Sequence, residues 1–268
     1  MTLHAIPTAF PRRRRVAPSA LALAVCLAYA GTAFAGETCD LAGAGEDDGG
    51  ASAAGTDATA CGIAAVASGQ DSTAYGNAAT ASGDEGTATG NASFAFGNMA
   101  TATGTHSHAS GGGGTATGAY SVASGAAATA TGNIAQAPGD FSTAIGSASL
   151  ASGHSGTAIG VFAEATADSA TATGASSHAT GDGATAMGAS SLASGDHSTA
   201  SGTGSAASGY RSTAAGAGSQ ASGEQAIAIG VLSQASGQYS TAIGTNSVAA
   251  GQNSTALGDG SEAAAMAA

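Results

Sequence analysis

Alanine and glycine, not large apolar residues, set the pattern of this chain. Every seventh residue from Ala60 to Ala263 is alanine, and every seventh from Gly62 to Gly258 is glycine except Ala167. Ala53 and Gly55 extend the beat one step upstream. The residues just before alternate alanines are threonines, from Thr59, Thr73 and Thr87 through to Thr255, with Ile227 the exception. The intervening set is mixed and includes Val66, Phe94, His108, Val122, Leu150, Leu192 and Val248. Between Ala and Gly, the threonine-bearing halves often carry apolar residues or Thr (Tyr75, Thr89, Ile145, Met187, Ile243), and the other halves usually Ser (Ser68, Ser82, Ser152, Ser236). The repeat is therefore fourteen residues, approximately S-T-A-I-G-x-x-S-x-A-S-G-x-x. Self-similarity at a fixed period is the mark of a stacked repeat architecture.

Two short strands and two turns fit one such unit. Successive strand residues point to opposite faces, so Thr and the third residue of T-A-x share one face while Ala takes the other. With Ala inward on both strands the tube is only a methyl group wide. Glycine then closes each strand where the chain bends or takes a positive φ. The spacing predicts an all-β fold, a parallel β-roll (β-solenoid) of about fifteen 14-residue coils, roughly 70 Å long at the ~4.8 Å separation of neighbouring strands. The period excludes hexapeptide helices, and the lack of G-G-x-G-x-D excludes calcium-binding nonapeptide rolls.

Composition alone points the other way. The 268 residues include no Trp, six Phe, five Tyr and 44 Gly, a profile that ordinarily accompanies low complexity or disorder. The fidelity of the beat overrides it, because a disordered Gly/Ala tract has no reason to keep register. Burying methyl groups returns little against the entropy of ordering each coil. The outward Ile, Leu, Met, Tyr and Val of the T-A-x strands offer further apolar area if several rods pack together, which favours an oligomer.

The N-terminus reads as an export signal over residues 1–35. Arg12–Arg15 form a basic region, Leu21–Tyr29 an apolar one, and Ala33-Phe34-Ala35 an A-x-A cleavage site before Gly36. That apolar run is too short to span a bilayer, and the mature chain carries no other candidate span. Cleavage would leave Arg211 as the one basic residue against all 17 acids. Such a surface repels nucleic acid and anionic membranes. Two cysteines remain, Cys39 and Cys61. In an oxidising compartment they pair within the chain, pair between chains, or stay free; an internal bridge would pin the N-terminal segment to the first repeat.

The units closely resemble the head repeats of YadA-like trimeric autotransporter adhesins. The family pattern N-S-V-A-I-G-x-x-S is matched by Tyr239-Ser240-Thr241-Ala242-Ile243-Gly244-Thr245-Asn246-Ser247, with similar copies at Ser142–Gly146, Gly156–Gly160, Ala226–Gly230 and Ser254–Gly258. The resemblance covers roughly residues 53–263. It implies a left-handed parallel β-roll, three chains side by side, and adhesion to host matrix or another surface, with the chain exported to the cell surface, attached to the outer membrane or secreted. Residues 36–52 then form an acidic N-terminal cap and 264–268 a short tail. The family normally continues into a neck, a coiled-coil stalk and a membrane barrel; no heptads, ten-residue membrane strands or final aromatic occur here. Thr also stands where the family usually has Val, making the expected trimer face more polar.

Few features suggest chemistry. Thr87/Thr89, Thr101/Thr103, Thr115/Thr117 and Thr129/Thr131 form four consecutive T-A-T units. Such an array resembles the ice-binding faces of β-solenoid antifreeze proteins, and an ice-binding solenoid is one alternative to the adhesin, a purely structural spacer another. Together with Thr241 and Ile243 these threonines are the candidate contact residues. His106 and His108 are expected on one strand face, without a third ligand in the adjacent units, so no metal is assigned. Asp168, Asp182 and Asp196 stack at one corner, read as solvated acids rather than a calcium site. Pro138 and the stretch from Val161 to Ala167, with Phe162, Glu164 and Ala167 in place of the usual residues, mark a local irregularity: a bulge, a bend or a binding spot. No residue grouping suggests catalysis or a cofactor, and the expectation is a non-enzyme.

Overall fold

The structure, a computed structural model, describes residues 37–38 and 49–264. These residues fall in one compact unit. Among the described residues every regular element is a strand, and the strands form two parallel sheets of sixteen strands each. One sheet stacks the three-residue strands, such as Thr143–Ile145, Thr157–Ile159 and Thr171–Thr173; the other stacks two-residue strands, such as Leu150–Ala151 and Glu164–Ala165. Each coil contributes one strand to each sheet. From the strand Ser52–Ala53 onward pairing partners lie fourteen residues apart, as in Thr143↔Thr157, Ala144↔Ala158 and Ile145↔Ile159. This is the expected β-solenoid, and its length in residues per coil equals the sequence period.

The core is narrower in chemistry than in number of positions. The alanines on the seven-residue beat are buried along both sheets, for example Ala144, Ala151, Ala158 and Ala165. Two further positions per coil also point inward, and they are occupied by Ala, Ser or Gly. One lies at the end of the turn after the long strand (Ser121, Ser149, Ala163, Ser177), the other at the end of the turn after the short strand (Ala128, Ser142, Ala170, Ser198). Strand alternation by itself places only the beat alanines inside. The serines escape notice because their side chains lie on turns, where strand alternation says nothing about direction.

The two sets of glycines have different reasons. Gly146, after a long strand, has φ 133°, a backbone region open in practice to glycine. Gly209, after a short strand, has no positive φ; its constraint is stacking, since a Cβ there would sit 1.9 Å from the carbonyl oxygen of Gly223 in the next coil. Each turn also holds a residue in the left-handed helical region, and side chains as large as Phe141, Phe162 and Ile134 occupy it at φ of 57°, 57° and 59°. The stacked backbone hydrogen bonds, such as Phe141 N–H to the Ala126 carbonyl at 2.7 Å, hold these otherwise unfavourable conformations in place.

The stretch from Val161 to Ala167 keeps strand register, with Leu150↔Glu164 and Glu164↔His178 paired as elsewhere. It is neither a bulge nor a bend. What changes is one rung: Gly153 and Gly181 donate their N–H to Ala165 and Ala193, whereas Ala167 makes no corresponding bond to Ala179. Pro138, lacking an N–H, reduces its strand pairing to Gln136↔Leu150 alone.

Candidate functional site

With a core of methyl and hydroxymethyl groups, any contact with another molecule must be made on the outward faces. The long-strand sheet presents two columns. Thr87, Thr101, Thr115 and Thr129 stack in the first, and Thr89, Thr103, Thr117 and Thr131 in the second, each paired in register with the next coil. All are partly exposed, Thr103 most fully. The structure therefore brings these eight threonines together on one face of the long-strand sheet. Beyond them the second column turns apolar at Ile145, Ile159, Met187, Ile229, Ile243 and Leu257, which remain 39–64% exposed. Thr241 and Ile243 continue the same two columns.

The edges of the coil differ in charge. Most acids of the described residues sit in the turn after the short strand, including Asp84, Asp140, Asp168, Asp182 and Asp196. They are not simply a solvated corner. Asp168 Oδ1 accepts the backbone N–H of His154 at 3.0 Å, and Asp196 Oδ1 that of Asp182 at 3.2 Å. Asp84 and Asp140 do the same for Gln70 and Ala126, and Asn98 does so for Asp84. Asp84, Asn98, Asp140, Asp168 and Asp196 thus each cap a turn N–H of the preceding coil, which is why Asp and Asn suit this position. No group of His, Cys, Asp and Glu among the described residues is arranged to hold a metal ion.

The expected histidine pair does not share a strand face. His106 lies in the turn at φ 55° and stacks on Tyr120, with centroids 5.0 Å apart. His108 lies on the short strand His108–Ala109, beside Phe94 and Phe96. The left-handed residue reverses the alternation that the i, i+2 spacing assumed. Other histidines also find neighbours one coil away: His154 meets Phe141 edge-on, His197 meets Tyr210, and His178 Nε2 lies 3.5 Å from Glu164 Oε2. Cys61 is disulfide-bonded; Cys39 lies outside the described residues, as does the expected signal segment.

Fourteen-residue coils with this Ala, Gly and Ser framework can be set against known families. Matches to a model described as the YadA head domain repeat (2 copies) run over residues 53–79, 67–93, 88–113, 123–149, 151–177, 179–205, 207–233 and 235–261. The chain belongs to the YadA head-repeat family. Each match spans about two coils of the solenoid, and together they cover residues 53–261 apart from 114–122 and single residues between the later matches. No match was found among curated proteins. YadA head repeats belong to adhesin-like proteins, and the fold they make here is a structural solenoid. Among the described residues no helix is long and apolar enough to cross a membrane.

Proposed function

We propose that the chain is the head module of an exported surface adhesin, that it works as a homotrimer, and that it holds host matrix or another surface through many weak, repeated contacts. The observation that carries this reading is the apolar column Ile145, Ile159, Met187, Ile229, Ile243 and Leu257, aligned along one side of the long-strand sheet. Thr173, Ser201 and Ala215 interrupt the column, but exposed apolar side chains repeated along one face call for a partner. The acids lie across the coil in the other turn, so copies can meet along the apolar side without bringing like charges together. Family membership supports three copies, and the Arg12–Arg15, Leu21–Tyr29, Ala33-Phe34-Ala35 segment supports export. Sedimentation equilibrium on the purified chain tests the assembly: a trimer is expected, and a clean monomer would overturn it. Attachment of the trimer to matrix-coated surfaces tests the adhesin role.

A second reading has its own support in the registered Thr array from Thr87 to Thr131, whose regular hydroxyl spacing suits an ice surface. Thermal hysteresis decides it. Clear hysteresis, abolished by Thr103→Leu or Thr117→Leu, would replace the adhesin reading, and failure of both assays would leave a structural spacer.

We also propose Cys39 as the partner of Cys61. The pairing Glu37↔Thr59 and Thr38↔Ala60 brings the chain that leads directly to Cys39 alongside the strand that ends at Cys61. Peptide mapping of the unreduced protein tests the bridge.

A further inference from the structure

The outward face of the short-strand sheet also has two columns, and the second is almost wholly Ser or Thr. Phe96 interrupts it, standing where Ser82 and Ser110 stand in the coils on either side. With Phe94 and His108 it forms a closed group of three rings, with centroids 5.6 Å (Phe94–Phe96), 6.0 Å (Phe94–His108) and 5.2 Å (Phe96–His108) apart. Phe96 remains 43% exposed. The hydroxyl column continues past the rings in both directions, through Ser82 and Ser68 on one side and Ser110 and Ser124 on the other, all exposed.

This part of the face is also free of carboxylates. From Val66 to Pro138 no outward residue of the short strands is Asp or Glu; the first is Glu164, which lies against His178. The acids of the chain are held mostly in turns, Asp84 and Glu85 in the one after Ser82, and the window adds exposed rings to a strand face that is itself uncharged. Anionic ligands are disfavoured by the field of the molecule, and cations are drawn to the acidic turns instead. Aromatic faces flanked by hydroxyl donors and acceptors, without charge, match a ligand that offers C–H bonds on one side and hydroxyls at its rim. We propose that Phe94, Phe96 and His108 form a stacking site for a neutral saccharide, with Ser82 and Ser110 as hydrogen-bonding flanks. The hydroxyl rows on both sides extend the track, so a linear chain of sugars fits better than a single ring.

This assigns a ligand class within the adhesin reading and rests on that reading for its biological setting. The long-strand face assigned to trimer contacts lies on the opposite sheet, so the window stays open in the assembly. The test uses the full chain and a panel of linear neutral oligosaccharides (gluco-, galacto- and N-acetylglucosamine series), with binding read by calorimetry and by the His108 ring signals in NMR. Saturable binding is expected to at least one series. The double variant Phe94→Thr, Phe96→Ser reproduces residues found at these places in neighbouring coils. It should weaken binding about tenfold or more, a loss of at least 1.4 kcal/mol, while leaving the thermal melt and the oligomeric state as they were. Absence of binding across the panel, or binding that survives the double variant, would overturn the site and leave the rings as cross-strand packing alone. Sedimentation of the same sample keeps that outcome separate from failure of the trimer.

Discussion

Asp140 Oδ1 lies 2.8 Å from the backbone nitrogen of Ala126, one coil and fourteen residues earlier. The side chain of each such residue closes a turn that it does not belong to. Stability in this molecule is a sum of contacts between nearest coils, and these caps are among the few supplied by side chains. Asp140→Ala should therefore cost about 1 kcal/mol, the worth of one hydrogen bond. Asp140→Asn should cost much less, because Asn98 fills the same role for Asp84. Chemical denaturation of both variants, repeated with and without calcium, checks the point; a calcium-dependent difference would contradict the capping role.

Gly209 and Gly204 separate two uses of glycine. A Cβ at Gly209 meets the Gly223 carbonyl at 1.9 Å, whereas one at Gly204 meets nothing within 4 Å. Gly209→Ala should push adjacent coils apart locally and cost the rung to Ala221, as Ala167 at the equivalent position lacks its own, for a loss of roughly 1–2 kcal/mol. Gly204→Ala should change stability by about 1 kcal/mol or less, since Ala64, Ala78 and Ala148 already occupy the equivalent left-handed position. Equal losses in thermal melts would mean that backbone conformation, not stacking, dominates at both.

The buried serines divide in the same way. Ser121 Oγ donates to the Gly118 carbonyl at 2.9 Å, but Ser212 Oγ is buried without a partner. Ser121→Ala is expected to destabilise by about 1 kcal/mol, and Ser212→Ala to stabilise by a similar amount, because an unmet buried hydroxyl is removed. Alanine already fills the Ser212 position in other coils, at Ala128 and Ala170. A drop in melting temperature for Ser212→Ala would show that its hydroxyl is satisfied in solution.

Ala167→Gly tests the missing rung. Relief of crowding and a regained bond to Ala179 are together worth more than about 1 kcal/mol, against an entropy cost of about 0.5–1 kcal/mol for glycine. A small net gain in stability is expected. Amide hydrogen exchange at residue 167 should slow in the variant, and unchanged exchange would count against the account.

Ile145→Asp combined with Ile243→Asp should dissociate the proposed trimer, since it places carboxylates in the shared apolar strip. Far-ultraviolet circular dichroism should keep its β signal while sedimentation reports monomers. A trimer that persists would move the interface elsewhere on the coil.

Much of this protein was legible before any coordinate. The seven-residue beat of Ala and the alternation of Thr with mixed residues determined the coil length, the strand positions, the inward alanines and the Thr columns, because a strand's two-residue alternation is a local rule. What lay beyond that rule was decided by stacking. The buried serines, the caps from Asp140 and Asp168, the parting of His106 from His108 and the ring group around Phe96 all depend on turns with left-handed residues and on neighbours fourteen residues away. A periodic sequence names those neighbours, but only the packed coil sets the direction in which a turn residue points, and that direction determines whether its side chain enters the core, caps the next coil or faces a partner.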